Sequence, residues 1–171
     1  MKNLFKIVLL LGFVIFSINS NAQTKLKLGH VDSEELLKSM PERDSALAKL
    51  KDYSKALETQ FQSMQSELET KYNDFVANQA TYSDLIKQMK QKELEDLQKR
   101  IQDFQQSAQE DVQKKEQELL KPIIDKAKKA IEDVAKENGY NYIFDRGLQV
   151  LLYADPTEDV TALVKKKLGL K

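Results

Sequence analysis

His30, the single histidine, and the carboxylates Asp32, Asp145 and Asp155 are the residues whose types could move a proton. His30 lies in a short strand-like segment, where a packing or surface role is the ordinary reading. The three aspartates fall beside strand ends or turns, where carboxylates cap backbone amides or stay in water. No spacing among them brings two carboxylates into one pocket, as glycoside hydrolysis requires. The chain also has no Cys, no Gly-rich phosphate loop, no dinucleotide fingerprint and no metal-ligand cluster. No catalytic, cofactor-binding or metal-binding residue is assigned, no cofactor is implied and no enzyme is expected.

If side-chain chemistry is not the function, shape and surface must carry it. Residues 42–121, between Pro41 and Pro122, contain neither Gly nor Pro and are rich in Lys, Glu, Gln, Asp and Leu. An uninterrupted stretch of that composition reads as a helical arm. In its first half the apolar positions are Leu50, Tyr53, Leu57, Phe61, Met64, Leu68, Tyr72 and Phe75. The spacing repeats every eleven residues (Tyr53, Met64, Phe75), which suits a nearly straight helix better than a heptad supercoil. The stripe lapses at residues 78–83, where polar, turn-tolerant residues cluster, and resumes at Leu85, Ile86 and Met89. A hairpin tip is expected there. The return helix presents Leu94, Leu97, Ile101, Phe104, Ala108, Val112 and Leu119, with few large apolar groups between Gln105 and Glu118, so packing in that stretch should be loose. At ~1.5 Å per residue the first helix would be about 54 Å long and must protrude from any body the rest of the chain can build.

The flanks supply that body. Leu26 to Val31 reads as one strand, with Gly29 a weak point, followed by a short helical turn up to Met40. Beyond Pro122, where a kink is expected, the apolar stripe continues through Ile123, Ile124, Ala127, Ile131 and Val134 to a stop at Asn138-Gly139. Residues 140–153, with Asp145-Arg146-Gly147 in the middle, read as a β-hairpin. Asp155-Pro156-Thr157-Glu158 reads as the start of a closing helix, residues 157–168. The second strand of the hairpin is apolar on both faces and wants cover from the chain's own helices on one side and from a second subunit on the other. Leu26, Leu28, Val31, Ile143, Phe144, Val150, Leu151, Leu152 and Tyr153 are the expected body and oligomer core. The fold class is therefore α+β: a long helical hairpin, residues 42–121, protruding from a small β body formed by residues 23–41 and 122–171 and completed by oligomerisation.

The first 22 residues place this body in a compartment. Lys2 and Lys6 precede the apolar run from Ile7 to Phe16, and Ser20 and Ala22 occupy the small-residue positions of a signal-peptide cut between Ala22 and Gln23. The run is too short to span a bilayer, for which about 20 apolar residues are needed. Without a Cys at the cut there is no lipid anchor, and an exported, Cys-free chain fits the periplasm. The full chain balances 27 basic against 27 acidic residues, and the leader removes two of the lysines. A slightly acidic mature chain points to no nucleic-acid partner.

Gly29-His30-Val31-Asp32, the Gln- and Lys-rich hairpin, the stretch from Pro122 to Asp145, Leu151-Leu152-Tyr153 and Asp159-Val160-Thr161 together resemble the Skp/OmpH family of periplasmic chaperones. The resemblance covers essentially the whole mature chain and is most specific in the C-terminal third. It implies a jellyfish-like homotrimer, in which strands from three chains form a central body and three helical hairpins surround a cavity. That cavity would hold unfolded outer-membrane proteins without ATP. Family members are often basic, whereas this chain is not, so weaker electrostatic capture is expected.

Two readings of the tip stand side by side. Lys87, Lys90 and Lys92 form either an ordinary solvated helix face or a locally basic end that attracts clients or makes peripheral contact with an anionic membrane surface. Leu85, Ile86 and Met89 are either client contacts or packing between the two helices. The competing function class is a periplasmic coiled-coil spacer or assembly adaptor with one fixed protein partner.

Overall fold

The computed structural model describes residues 26–170. The expected leader and its cut between Ala22 and Gln23 lie outside them. The elements in chain order are β1 (Leu28–Val31), α1 (Ser33–Lys38), α2 (Pro41–Asn78), α3 (Asp84–Asn138), β2 (Tyr142–Asp145), a 3-10 turn (Pro156–Glu158) and α4 (Thr161–Lys167).

Local chemistry accounts for most boundaries. Asp32 caps α1 by accepting the Glu35 amide at 2.8 Å, and the acidic pair Glu34 and Glu35 occupies its first turn, where the helix dipole favours negative charge. Pro41, which has no amide to lose, opens α2. Ser83 Oγ accepts the Ile86 amide at the start of α3. Gly139 ends α3 in the left-handed conformation, φ 70°. Pro122 lies inside α3, which continues through it in one helix of 55 residues.

At ~1.5 Å per residue, α2 extends about 57 Å and α3 about 83 Å, so the hairpin is far longer than the body is wide. Its seam follows the eleven-residue spacing: Tyr53, Met64 and Phe75 are all half-buried between the helices. Tyr72 is the exception. It is 56% exposed, and Lys71 takes the seam position, reaching Glu93 of α3 at 2.5 Å. The apolar spacing named Tyr72 for that position, and the carboxylate across the hairpin draws Lys71 there instead.

The arm is also a crossover. β1 and β2 pair in parallel with Leu28 opposite Tyr142 and Val31 opposite Asp145, so the whole hairpin connects two adjacent strands. Gly29 leaves room in this sheet for the Tyr140 ring, which would lie 2.9 Å from a Cβ there and would have to shift. On the far side of β1 a bridge joins His30 to Asp159, and the Val160 amide donates to the His30 carbonyl at 2.9 Å. One sheet face packs on α1, α3 and α4 through Val31, Leu36, Met40, Ala127, Val134, Val160 and Val164.

Two sequence expectations are corrected. Residues 140–153 do not form a β-hairpin; only Tyr142–Asp145 is a strand, and its partner is β1. After it, Asp145 Oδ1 accepts the Gly147 amide at 2.8 Å, and Asp145 Oδ2 accepts Ser33 Oγ at 2.6 Å. That turn leads the chain towards α1, and Gln149 then adopts the left-handed conformation, φ 54°. The closing helix is not continuous over 157–168 either. Asp155 caps a 3-10 turn by accepting the Thr157 amide at 3.0 Å, and Asp159 is then extended and bridges to β1 before α4 begins.

Candidate functional site

His30 is 4% exposed. Its Nε2 lies 2.9 Å from the Asp155 carbonyl oxygen, which can only accept, so Nε2 carries a proton and donates. Its Nδ1 has no hydrogen-bond partner among the described residues, the Asp159 carboxylate being 3.9 Å away. Partial burial opposes ionisation of Asp159, but hydrogen bonds from the Thr161 hydroxyl and amide outweigh it, and the carboxyl sits below its usual range. The Thr161 hydroxyl also accepts the Asp32 amide at 3.0 Å, tying α1 to α4. This is a tie between β1 and the C-terminal segment, closed to any substrate by its burial. Among the described residues no group of three or more His, Asp or Glu side chains could hold a metal.

The exposed apolar groups are distributed differently. On the sheet face away from the core, Leu28, Tyr142 and Phe144 are 43%, 58% and 45% exposed. In the segment that follows β2, Leu148, Val150, Leu152 and Tyr153 are exposed more fully still, Leu152 without any cover at all. Of the residues expected in the body core, Val31 is buried and Ile143 and Leu151 are half-buried. Leu26, Leu28, Phe144, Val150, Leu152 and Tyr153 lie on the surface of the single chain. Val150, Leu152 and Tyr153 belong to the segment expected as a second strand, which does not pair, and Leu28 and Phe144 lie on the sheet face away from the core.

At the tip, Leu85, Ile86 and Met89 are exposed, and the aromatic contact there is made by Phe75 of α2 and Tyr82 of the turn, whose ring centroids are 6.5 Å apart. The lysines there are more balanced than their sequence window implies. Lys87 has Asp84 at 3.9 Å, and Lys90 has Asp74 at 3.9 Å and Glu93 at 3.8 Å. Asp74 is brought over from α2 by the hairpin. Among the described residues Lys92 alone of the three has no carboxylate partner.

Besides the longer Lys90–Asp74 contact, two close ion pairs join the arm helices, Lys71 to Glu93 near the tip and Lys126 to Glu42 near the body, both at 2.5 Å. Hydrogen bonds from Lys71 and Lys126 hold Glu93 and Glu42 below the usual carboxylate range. Because their folded pKa values are depressed, these acids contribute stability that is present above the unfolded value, about 4.3, and lost as pH falls through the folded one. Thermal unfolding followed by circular dichroism should therefore show a lower midpoint at about pH 3 than at pH 7. Glu93→Gln should shrink that difference, and salt should weaken it because both pairs are exposed.

Between those two ion pairs the seam is incompletely filled. A groove of about 450 Å³ opens between them, lined by Leu57 and Phe61 of α2 and by Phe104, Ala108 and Val112 of α3, with Gln105, Gln109 and Gln113 along one edge. Ala108 occupies a seam position without filling it. The scarcity of large apolar residues after Gln105 signals loose packing here, but which face opens depends on how the helices are paired.

The family model described as "Outer membrane protein (OmpH-like)" matches residues 27–168. The chain belongs to the OmpH-like family. Among its OmpH-like relatives is the protein named "Chaperone protein Skp" from Yersinia enterocolitica, 27% identical over 145 residues, covering 82% of this chain and 85% of that one. The fold is similar to the crystal structure of a proposed OmpH-like outer membrane chaperone from Caulobacter crescentus CB15. That match has a TM-score of 0.73 at 17% identity and covers 88% of each chain. The OmpH-like arm and small two-stranded body are thus shared features, and no helix among the described residues is long and apolar enough to cross a membrane.

Proposed function

We propose that this OmpH-like protein is an ATP-independent periplasmic holdase that keeps unfolded outer-membrane proteins from aggregating, and that it works as a homotrimer with its arms around a shared cavity. The observation that carries the reading is the arm: two long helices whose seam is only half-buried, with Leu97 its one fully buried large side chain among the described residues. Such a surface is large, adaptable and weakly apolar. Holding many unfolded chains needs those qualities, since a tight complementary pocket would select one client and release it slowly.

The trimer is supported by the uncovered apolar face of the body, which a soluble monomer would rarely display. Leu85, Ile86, Met89 and Lys92 are the tip groups proposed to meet a client, with Lys87 and Lys90 partly neutralised by acids. A peripheral membrane contact gains little from such a tip, since one unpaired lysine contributes about 1 kcal/mol.

The test is aggregation of several unrelated unfolded β-barrel proteins, diluted from denaturant without ATP, in the presence of the mature chain. Equimolar trimer should suppress aggregation of all of them. Protection of none, or of a single partner only, would overturn the holdase and leave the chain as a spacer or adaptor.

A further inference from the structure

We infer that the mid-arm groove is a binding subsite for an extended, uncharged client segment whose apolar and polar residues alternate. The inference rests on the holdase reading and adds to it where on the arm a client lies and which pattern it carries. The groove is apolar along its floor, where Leu57, Phe61, Phe104, Ala108 and Val112 meet, and Glu58 is the one charged residue lining it. In a chain that is 32% charged, so neutral a stretch favours a neutral occupant, because a client charge laid here would lose water without gaining a counter-ion. Its volume, about 450 Å³, falls within the roughly 300–1,000 Å³ of clefts that take ligands.

The glutamine edge says how that occupant lies. Gln105, Gln109 and Gln113 recur every four residues on one ridge of α3, and all three are exposed. Among the described residues none of their side-chain amides has a hydrogen-bond partner within the chain. A step of four helical residues is about 6.0 Å, and alternate residues of an extended chain are about 6.6–6.8 Å apart. Over three glutamines the mismatch accumulates to only about 1.5 Å, which a Gln side chain can absorb by changing rotamer. Each amide can both donate and accept, so the ridge can pair with the exposed backbone of an extended segment lying parallel to the arm. Every second side chain of that segment then enters the groove. The intervening ones face water, which is why an alternating pattern fits and a block of apolar residues does not.

Two labelled peptides of identical uncharged composition test this against the full mature chain, one alternating apolar and polar residues and one with the apolar residues grouped. The alternating peptide should bind about tenfold more tightly. Ala108→Leu, which fills the groove, should remove most of that preference. The triple change of Gln105, Gln109 and Gln113 to Ala should do the same while the arm stays helical by circular dichroism, since Ala is the stronger helix former. Equal affinity for the two peptides, binding of neither, or a preference that survives both variants would overturn the subsite. If the parent chain still prevents aggregation in any of those cases, the holdase reading stands; if it does not, both fall.

Discussion

Replacing Phe144 and Leu152 together by Asp should convert a trimer to a monomer without unfolding it. In the single chain Leu152 is bare, and Phe144, a strand residue 45% exposed and stacked on Tyr142, carries most of the cost, about 1–2 kcal/mol for one copy. If the uncovered sheet face and the segment that follows β2 are where copies meet, the same aspartates would be buried without partners. That costs about 3–5 kcal/mol per charge, more than a hundredfold in the association constant at each interface. Mass determination in solution reads the result directly. A variant that stays trimeric would show that the copies meet elsewhere, and a parent chain that is already monomeric at micromolar concentration would remove the trimer from the proposal.

Leu36→Ala should destabilise the body by about 3 kcal/mol, within the range of 2–5 for emptying a fully buried leucine site. Leu36 is 0% exposed and belongs to the cluster in which Val31, Met40, Val160 and Val164 converge, so its loss opens a cavity shared by β1, α1 and α4. Those elements are short and joined to each other chiefly through this cluster, leaving little material that can collapse into the void. For a chain of this size the expected fall in Tm is roughly 6–12 °C. Denaturant unfolding of parent and variant at equal protein concentration gives the free-energy difference, since any assembly stabilises both by mass action. A change below about 1 kcal/mol would mean that the cluster is already loosely packed, in conflict with its burial.

The two predictions concern parts of the molecule that differ in how far residue patterns reveal them. Asp155 and Ser83 accept amides two or three residues on, Gly139 donates its own to the Ala135 carbonyl, and the turns they make follow from residue type. The eleven-residue spacing of Tyr53, Met64 and Phe75 likewise fixes which side of α2 is apolar, because a helix converts sequence separation directly into angle. Lys71 shows where that reasoning ends. A charged residue was not eligible for the seam until Glu93 stood opposite it, and only the folded-back arm makes them neighbours.

The same limit explains residues 148–153. Their apolar alternation has the composition of a strand, and a strand close behind another one ordinarily pairs with it. Pairing is a relation between segments, however, and β2 had a nearer match in β1, which precedes it by more than a hundred residues. β1 takes only one edge of β2, and it is Asp145, turning the chain towards Ser33, that leads the apolar segment away from the other and leaves it uncovered. The tip lysines depend on the same kind of distant partner, since Asp74 reaches Lys90 only across the hairpin.

By itself, then, the sequence determined the helical arm, its seam, its turn and the caps of its shorter elements, because each depends on contacts within about one or two turns of chain. It also carried the family resemblance, most of it in residues 122–161. Only the tertiary structure decided the parallel pairing of β1 with β2, the burial of His30 beneath Asp155 and Asp159, the apolar face left open on the body and the groove beside Ala108. Each of these joins residues far apart in the chain, where no local periodicity can say which partner wins.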